Sequence, residues 1–316
     1  MNDRVQLPMV TPADIDAAAN RLAPYVRITP TVLAGNDLGL ATVATLKLEL
    51  LQHTGSFKAR GAFNRILLSD IPQTGVIAAS GGNHGAAVAF AAATLGLRAE
   101  IFVPSSSPAM KRDRIVALGG HVTVVDGMYD DAQAAAQARQ RETGALAVHP
   151  FDDVDVVAGQ GSMSRELQRQ VPQFDTLLVA TGGGGFIAGQ AAWWQGRVKV
   201  VSVEPDTSCC LHAARQAGEP VDVEVSGRAA DSLGSRRLGT VAWSVVRQYV
   251  AESVTVSDSD IAAAQHALWD TFRLVVEPGG AAAVAALRSG AYAPAPGERV
   301  VVVVCGANCD PSSVVN

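Results

Sequence analysis

Cysteine is too scarce in this chain to build a disulfide framework. Only four occur, at positions 209, 210, 305 and 309, and the adjacent Cys209 and Cys210 would pair only with strain. Reduced thiols follow, and the lack of a second set of correctly spaced ligands excludes a structural zinc site. The opening stretch, MNDRVQLPMVTPADIDAAAN, has no apolar run of signal-peptide length, and no later run reaches the roughly 18 residues of a spanning helix. A cytoplasmic protein with no membrane partner is therefore expected. Basic charge is not in excess either: a net charge of −5 gives no face for nucleic acid. With 48% apolar residues among 316, the chain can bury a large core and falls between one big domain and two modest ones. What remains is an ordinary globular protein with a small-molecule ligand.

What the sequence does contain is an alternation of short β-branched runs with Ala-rich amphipathic stretches. The runs fall at 43–50, 76–79, 101–103, 122–125, 176–180, 198–203 and 300–304, with helical segments expected at 83–95, 130–142, 153–170 and 258–272, some of them opened by an Asp that suits a helix cap. This pattern predicts an α/β fold of two open, mostly parallel sheets flanked by helices. A self-contained series near 75–125 suggests a small domain over 47–146. Residues 1–46 and 147–316 then form a large domain, and the ligand lies in the cleft between the two.

Four segments could carry chemistry, each at the carboxyl end of an expected strand. In the first, Gly55-Ser56-Phe57-Lys58-Ala59-Arg60-Gly61-Ala62, Lys58 falls in the first turn of a helix. The positive end of the helix dipole and desolvation by Phe57 both favour its neutral amine, the state an imine-forming lysine needs. The second is Ser80-Gly81-Gly82-Asn83-His84-Gly85, whose exposed N–H groups at a helix start suit a carboxylate. The third is Thr181-Gly182-Gly183-Gly184-Gly185-Phe186, where four glycines make a nest of amides for a phosphate. Neither the dinucleotide fingerprint nor the G-x-x-x-x-G-K-[ST] loop is present, so a monophosphate fits better than a nucleotide. The fourth is Val304-Cys305-Gly306-Ala307-Asn308, where a small polar side chain can meet a heteroaromatic nitrogen. Taken singly, Lys58 reads equally as a surface lysine, Gly-Gly-Asn as a turn and Cys305 as a core residue.

Together these segments resemble the tryptophan-synthase-β-like, fold type II, pyridoxal-phosphate enzymes, and most of all their serine/threonine dehydratase and serine racemase branch. The resemblance covers nearly the whole chain. Arg27-Ile28-Thr29-Pro30-Thr31, His149-Pro150-Phe151-Asp152-Asp153, Gly159-Gln160-Gly161 and Glu277-Pro278-Gly279-Gly280-Ala281 are further signatures of it.

The resemblance implies that Lys58 carries pyridoxal 5′-phosphate through its amine, beside Phe57, and then acts as the base at the substrate Cα. It also implies that Asn83 bonds the cofactor's 3′-oxygen and that Gly182, Gly183, Gly184, Gly185 and Phe186 hold its phosphate. Cys305 would face the pyridine nitrogen, and Ser80, Gly81, Asn83 and His84 would grip the substrate carboxylate. The implied reaction is dehydration of L-threonine or L-serine to 2-oxobutanoate or pyruvate with release of ammonia, by a homodimer.

Three departures stand out. Gly81 replaces the second serine of the racemases, which removes an acid–base hydroxyl and ranks dehydration above racemisation. Glu204 matches a first carboxylate ligand of a metal site, but Cys210 stands where relatives place an aspartate. Metal activation is thereby not expected, and a divalent cation, a monovalent cation or neither stay as alternatives. Ser232 replaces a usual glycine. The sequence given runs only eight residues past Asn308, and a C-terminal regulatory domain is not expected. The competing readings are a lyase for hydroxyaspartate or phenylserine, a serine racemase, a noncatalytic pyridoxal-phosphate or amino-acid binder, and a nucleotide-dependent oxidoreductase.

Overall fold

The computed structural model describes residues 9–315. Its strands are β1 (Thr31–Ala34), β2 (Ala44–Lys47), β3 (Val76–Ala79), β4 (Ala99–Pro104), β5 (His121–Val125), β6 (Leu146–Ala147), β7 (Thr176–Ala180), β8 (Lys199–Pro205), β9 (Val250–Val256) and β10 (Val300–Val303). They form a six-stranded sheet, ordered β1-β2-β10-β7-β8-β9, and a four-stranded sheet, ordered β5-β4-β3-β6. Every pairing is parallel except β1 with β2. This is the expected α/β architecture.

Burial on both faces explains the composition of the central strands. β10 is four consecutive valines, all buried between β2 and β7, and β7 is buried at all five positions. Such strands read as unbroken apolar runs because helices cover both sides of the sheet. The edge strand β9 instead carries Glu252 and Ser253 and is buried only at its two end valines. Its apolar content does not announce a strand.

Close helix packing depends on glycines at defined points. The helix Val154–Gln170 crosses Gly185–Trp194 so closely that a Cβ on Gly189 would lie 2.6 Å from backbone atoms of Gly161 and Val157. Asp153 caps the first of these helices by accepting from the N–H groups of Asp155 and Val156. Before Asp258–Phe272 the cap is Ser257, in a capping box with Asp260, one residue earlier than the acidic residue that opens the helix. The helix Lys58–Leu67 packs against both Asn83–Thr94 and Val154–Gln170, which places its first turn where the two sheets approach. Among the described residues, no helix is long and apolar enough to cross a membrane.

Candidate active site

The four segments converge. After β2 the chain returns along the extension of β10: Leu50 N donates to Val304 O, Phe57 N to Cys305 O and Ala307 N to Gly55 O, and Ser56 bridges Gly306 in antiparallel fashion. These bonds hold Lys58, at the start of its helix, beside Cys305. The ring of Phe57 stacks on Phe186 with centroids 3.9 Å apart, tying the lysine segment to the glycine loop after β7. Asn83, first residue of the helix after β3, donates from Nδ2 to Glu277 at 2.6 Å and accepts from Asn308. Thus all four strand ends meet, with Glu277 among them.

Lys58 Nζ donates to the Pro150 carbonyl at 2.7 Å and lies 5.3 Å from the Phe57 ring centroid. Burial pulls its pKa down to about 8, against the opposing pull of Cys305 and Glu277. About a tenth of the amine is therefore neutral at pH 7 and about half at pH 8, against a negligible share for an ordinary lysine, and the neutral amine is the state that attacks a carbonyl. Burial raises the pKa of Glu277 despite the bond from Asn83, and raises that of Cys305, keeping its thiol protonated. Cys305 is 3% exposed, and its Sγ lies 3.6 Å from the Gly279 carbonyl.

Gly184 caps the helix Gly185–Trp194 at φ 88°, a conformation that strains any residue with a Cβ. A Cβ on Gly183 would fall 2.5 Å from the Phe151 ring, and one on Gly185 would fall 2.6 Å from the Phe151 carbonyl. The loop cannot carry side chains, and its first-turn N–H groups have no partner within the helix. That combination makes an anion cradle.

Several residues sit differently from expectation. The imidazole of His84, only 4% exposed, points inward and donates from Nε2 to Val148 O at 2.8 Å, so its ring is committed to the core and its contribution to a carboxylate grip is limited to its backbone. Burial drives its pKa down to about 3. Because the folded ring refuses a proton that the unfolded ring takes up near 6.5, the contribution of His84 to stability is full above that pH and falls as pH drops toward 3. A His84→Asn variant is expected to lose that slope, as measured by urea midpoints between pH 7 and 4. Ser80 turns its Oγ to accept from Gly82 N. At Gly81 a Cβ would lie 2.2 Å from Ser107 Oγ, so the hydroxyl of Ser107 occupies the direction a side chain at 81 would take. The hydroxyl of Ser232 accepts from Gly279 N at 3.1 Å, bracing the residue whose carbonyl meets Cys305. Across the same region Lys111 pairs with Asp231.

Glu204 does not fit a metal site. Its two oxygens accept from Leu211 N and His212 N, both at 2.8 Å, and burial pushes its pKa up to about 8. The thiol of Cys210 donates to Gly182 O. Among the described residues no group of three or more His, Cys, Asp or Glu is placed to hold a metal ion.

Sequence reasoning missed two features. One is the placement of Glu277 against Asn83, a contact across 194 positions. The other is a buried ionic cluster beneath Lys58: Arg60 donates to both oxygens of Glu49 and to Glu166 at 2.8 Å each, while Lys47 bonds Thr29 O, Gln170 and Glu166. The available signal was charge in an apolar strand, Lys47 and Glu49, together with an arginine two residues past Lys58.

A poised amine, an anion cradle and a thiol at a strand end suit a phosphorylated aromatic aldehyde. Ser56, fully buried, adds a hydroxyl with no protein partner next in sequence to Phe57 and Lys58, a polar group open to a ligand or water. Comparison with known proteins agrees. The chain is 34% identical to a serine racemase of Oryza sativa subsp. indica, over 94% of this chain and 90% of that protein. It is 36% identical to an L-threonine ammonia-lyase of Thermotoga maritima, over 84% and 67% respectively. Its fold superposes on the processed form of threonine deaminase isoform 2 from Solanum lycopersicum with a TM-score of 0.88 at 30% identity, covering 95% of this chain and 89% of that one. Residues 22–306 match the family model described as pyridoxal-phosphate dependent enzyme, and the chain therefore belongs to that family, with pyridoxal 5′-phosphate as its cofactor.

Proposed function

We propose that the protein is an ammonia-lyase that removes water from L-threonine or L-serine and releases 2-oxobutanoate or pyruvate with ammonia. The observation that carries this reading is the amine of Lys58, its pKa held at about 8 beside an anion cradle. Elimination needs one base at Cα, whereas racemisation needs a second acid–base group on the other side. In this reading Lys58 holds the cofactor and takes the Cα proton. Gly182 to Gly185 and the amide of Phe186 hold the cofactor phosphate, and Asn83, fixed by Glu277 and Asn308, meets the 3′-oxygen. The bound cofactor supplies an electron sink that acidifies the Cα proton. The thiol of Cys305, kept protonated by burial, would be a neutral partner for the ring nitrogen and would leave that sink modest. Backbone N–H groups at the start of Asn83–Thr94, with Ser80, orient the substrate carboxylate.

The proposal includes the division into a small domain over 47–146 and a large domain from the rest. It also includes a homodimer in the cytoplasm, a reducing compartment consistent with four free cysteines.

One observation favours racemisation as a second reading: the Ser107 hydroxyl in the side-chain direction of Gly81. Incubating the holoenzyme with L-threonine, L-serine, D-serine, hydroxyaspartate and phenylserine separates the readings by 2-oxo acid, ammonia and serine chirality. The lyase reading expects stoichiometric 2-oxo acid and ammonia from threonine or serine. Inverted serine without ammonia, loss of that inversion in Ser107→Ala, or reaction of another hydroxy amino acid alone would contradict it.

A further inference from the structure

The glycine loop is held from behind by a thiol. Cys210, 1% exposed, opens the helix Cys210–Ala217, and its Sγ lies 3.3 Å from the carbonyl oxygen of Gly182. The helix that presents this thiol is itself fixed. The fully buried carboxyl of Glu204, near the end of β8, accepts the N–H groups of Leu211 and His212. On its other side Gly182 is pressed against Leu233, whose carbonyl would lie 2.9 Å from a Cβ placed there.

The consequence follows from peptide geometry. The carbonyl of Gly182 and the N–H of Gly183 belong to one planar trans unit and point in opposite directions. A donor that fixes the oxygen therefore aims the next N–H the other way, away from Cys210. We propose that Cys210 is a positioning residue for the cofactor phosphate: its thiol, anchored through Glu204, sets the direction of the Gly183 N–H without a metal ion. This inference rests on the reading of Gly182 to Gly185 as the phosphate site. Glu204 and Cys210 are thereby spent on helix and loop, which accounts for the poor fit of a cation at this place.

The test is the rate at which holoenzyme loses cofactor on dilution into buffer containing a cofactor trap, followed by visible absorption. Cys210→Ala is expected to speed loss about three- to tenfold, the span of one modest hydrogen bond. Cys210→Ser, which keeps a donor, should restore the wild-type rate, and neither chelator nor Mg²⁺ should change it. Ala214→Gly weakens the same helix without touching the loop and should leave cofactor loss near wild type. If Cys210→Ala does not fold, Cys210→Val, which fills the site without a strong donor, makes the same comparison. An unchanged rate in the donor-free variant, an equal acceleration in Ala214→Gly, or acceleration by chelator reversed by Mg²⁺ would overturn the proposal. Gly184→Ala separates the two levels of argument. If it too leaves cofactor loss unchanged, the loop does not hold the phosphate and the site reading fails. If it alone accelerates loss, only the role of Cys210 fails.

Discussion

Lys58→Ala is expected to reduce turnover by about ten-thousandfold and to remove the visible absorption of lysine-bound cofactor, while far-ultraviolet circular dichroism stays as in the wild type. The fold should survive because the amine makes one hydrogen bond, to Pro150 O, and sits where its charge is disfavoured. A pH signature accompanies the change. In the cofactor-free protein the pKa of Lys58 lies at about 8, below the ordinary 10.5. Between those values the unfolded chain holds a proton at Lys58 that the folded one has released, so this lysine contributes a rise in stability with pH across the window. Lys58→Ala should lack that rise in urea midpoints. A variant with turnover within tenfold of wild type would remove Lys58 from the chemistry.

The second large effect is on stability. Arg60 is 1% exposed and satisfies Glu49, which is wholly buried, and Glu166. Arg60→Met leaves these carboxylates with Lys47 as the neighbouring cation and Thr29 as hydrogen-bond donor, and should cost about 3–5 kcal/mol, the usual consequence of stripping one partner from a buried ionic cluster. Arg60→Lys should recover little, since a point charge cannot reproduce the forked contact to both oxygens of Glu49. Pairing Arg60→Met with Glu49→Gln should recover part of the loss, because the stranded charge is then gone. Urea unfolding measures all three. A loss under about 1 kcal/mol for Arg60→Met would mean that water or rearrangement replaces the guanidinium. The cluster joins β2, the helix carrying Lys58 and the helix Val154–Gln170, so its disruption should also blunt cofactor binding.

The parts of this molecule legible in its sequence are those whose cause is local. The runs 76–79 and 176–180 coincide with β3 and β7 because every residue there is buried and the apolar run is unbroken. The strand-end segments stand out because a helix start stripped of side chains needs consecutive glycines, as at Gly182 to Gly185. The helix at 258–272 is legible from its period, whereas its cap is not, since Ser257 and Asp258 are both competent cap residues and only tertiary placement selects between them.

What the sequence hid depends on distant contacts. β1 and β9 are edge strands with mixed burial, so neither the alternating nor the continuous apolar pattern marks them. His84 reads as a surface donor in a polar loop, but its partner is a carbonyl 64 positions away. Glu277 becomes part of the site only when β10 and the helix Asn83–Thr94 are brought together. Gly81 illustrates the same point from the other side. The sequence reports a missing side chain, and the fold fills its place from Ser107.

Reduction of the holoenzyme with borohydride, followed by peptide mass spectrometry, examines the covalent chemistry at its source. The expected result is one pyridoxyl-phosphate adduct per chain, on the peptide containing Lys58 and nowhere else. An adduct on another lysine, or none in protein that retains bound cofactor, would contradict the assignment on which the catalytic reading is built.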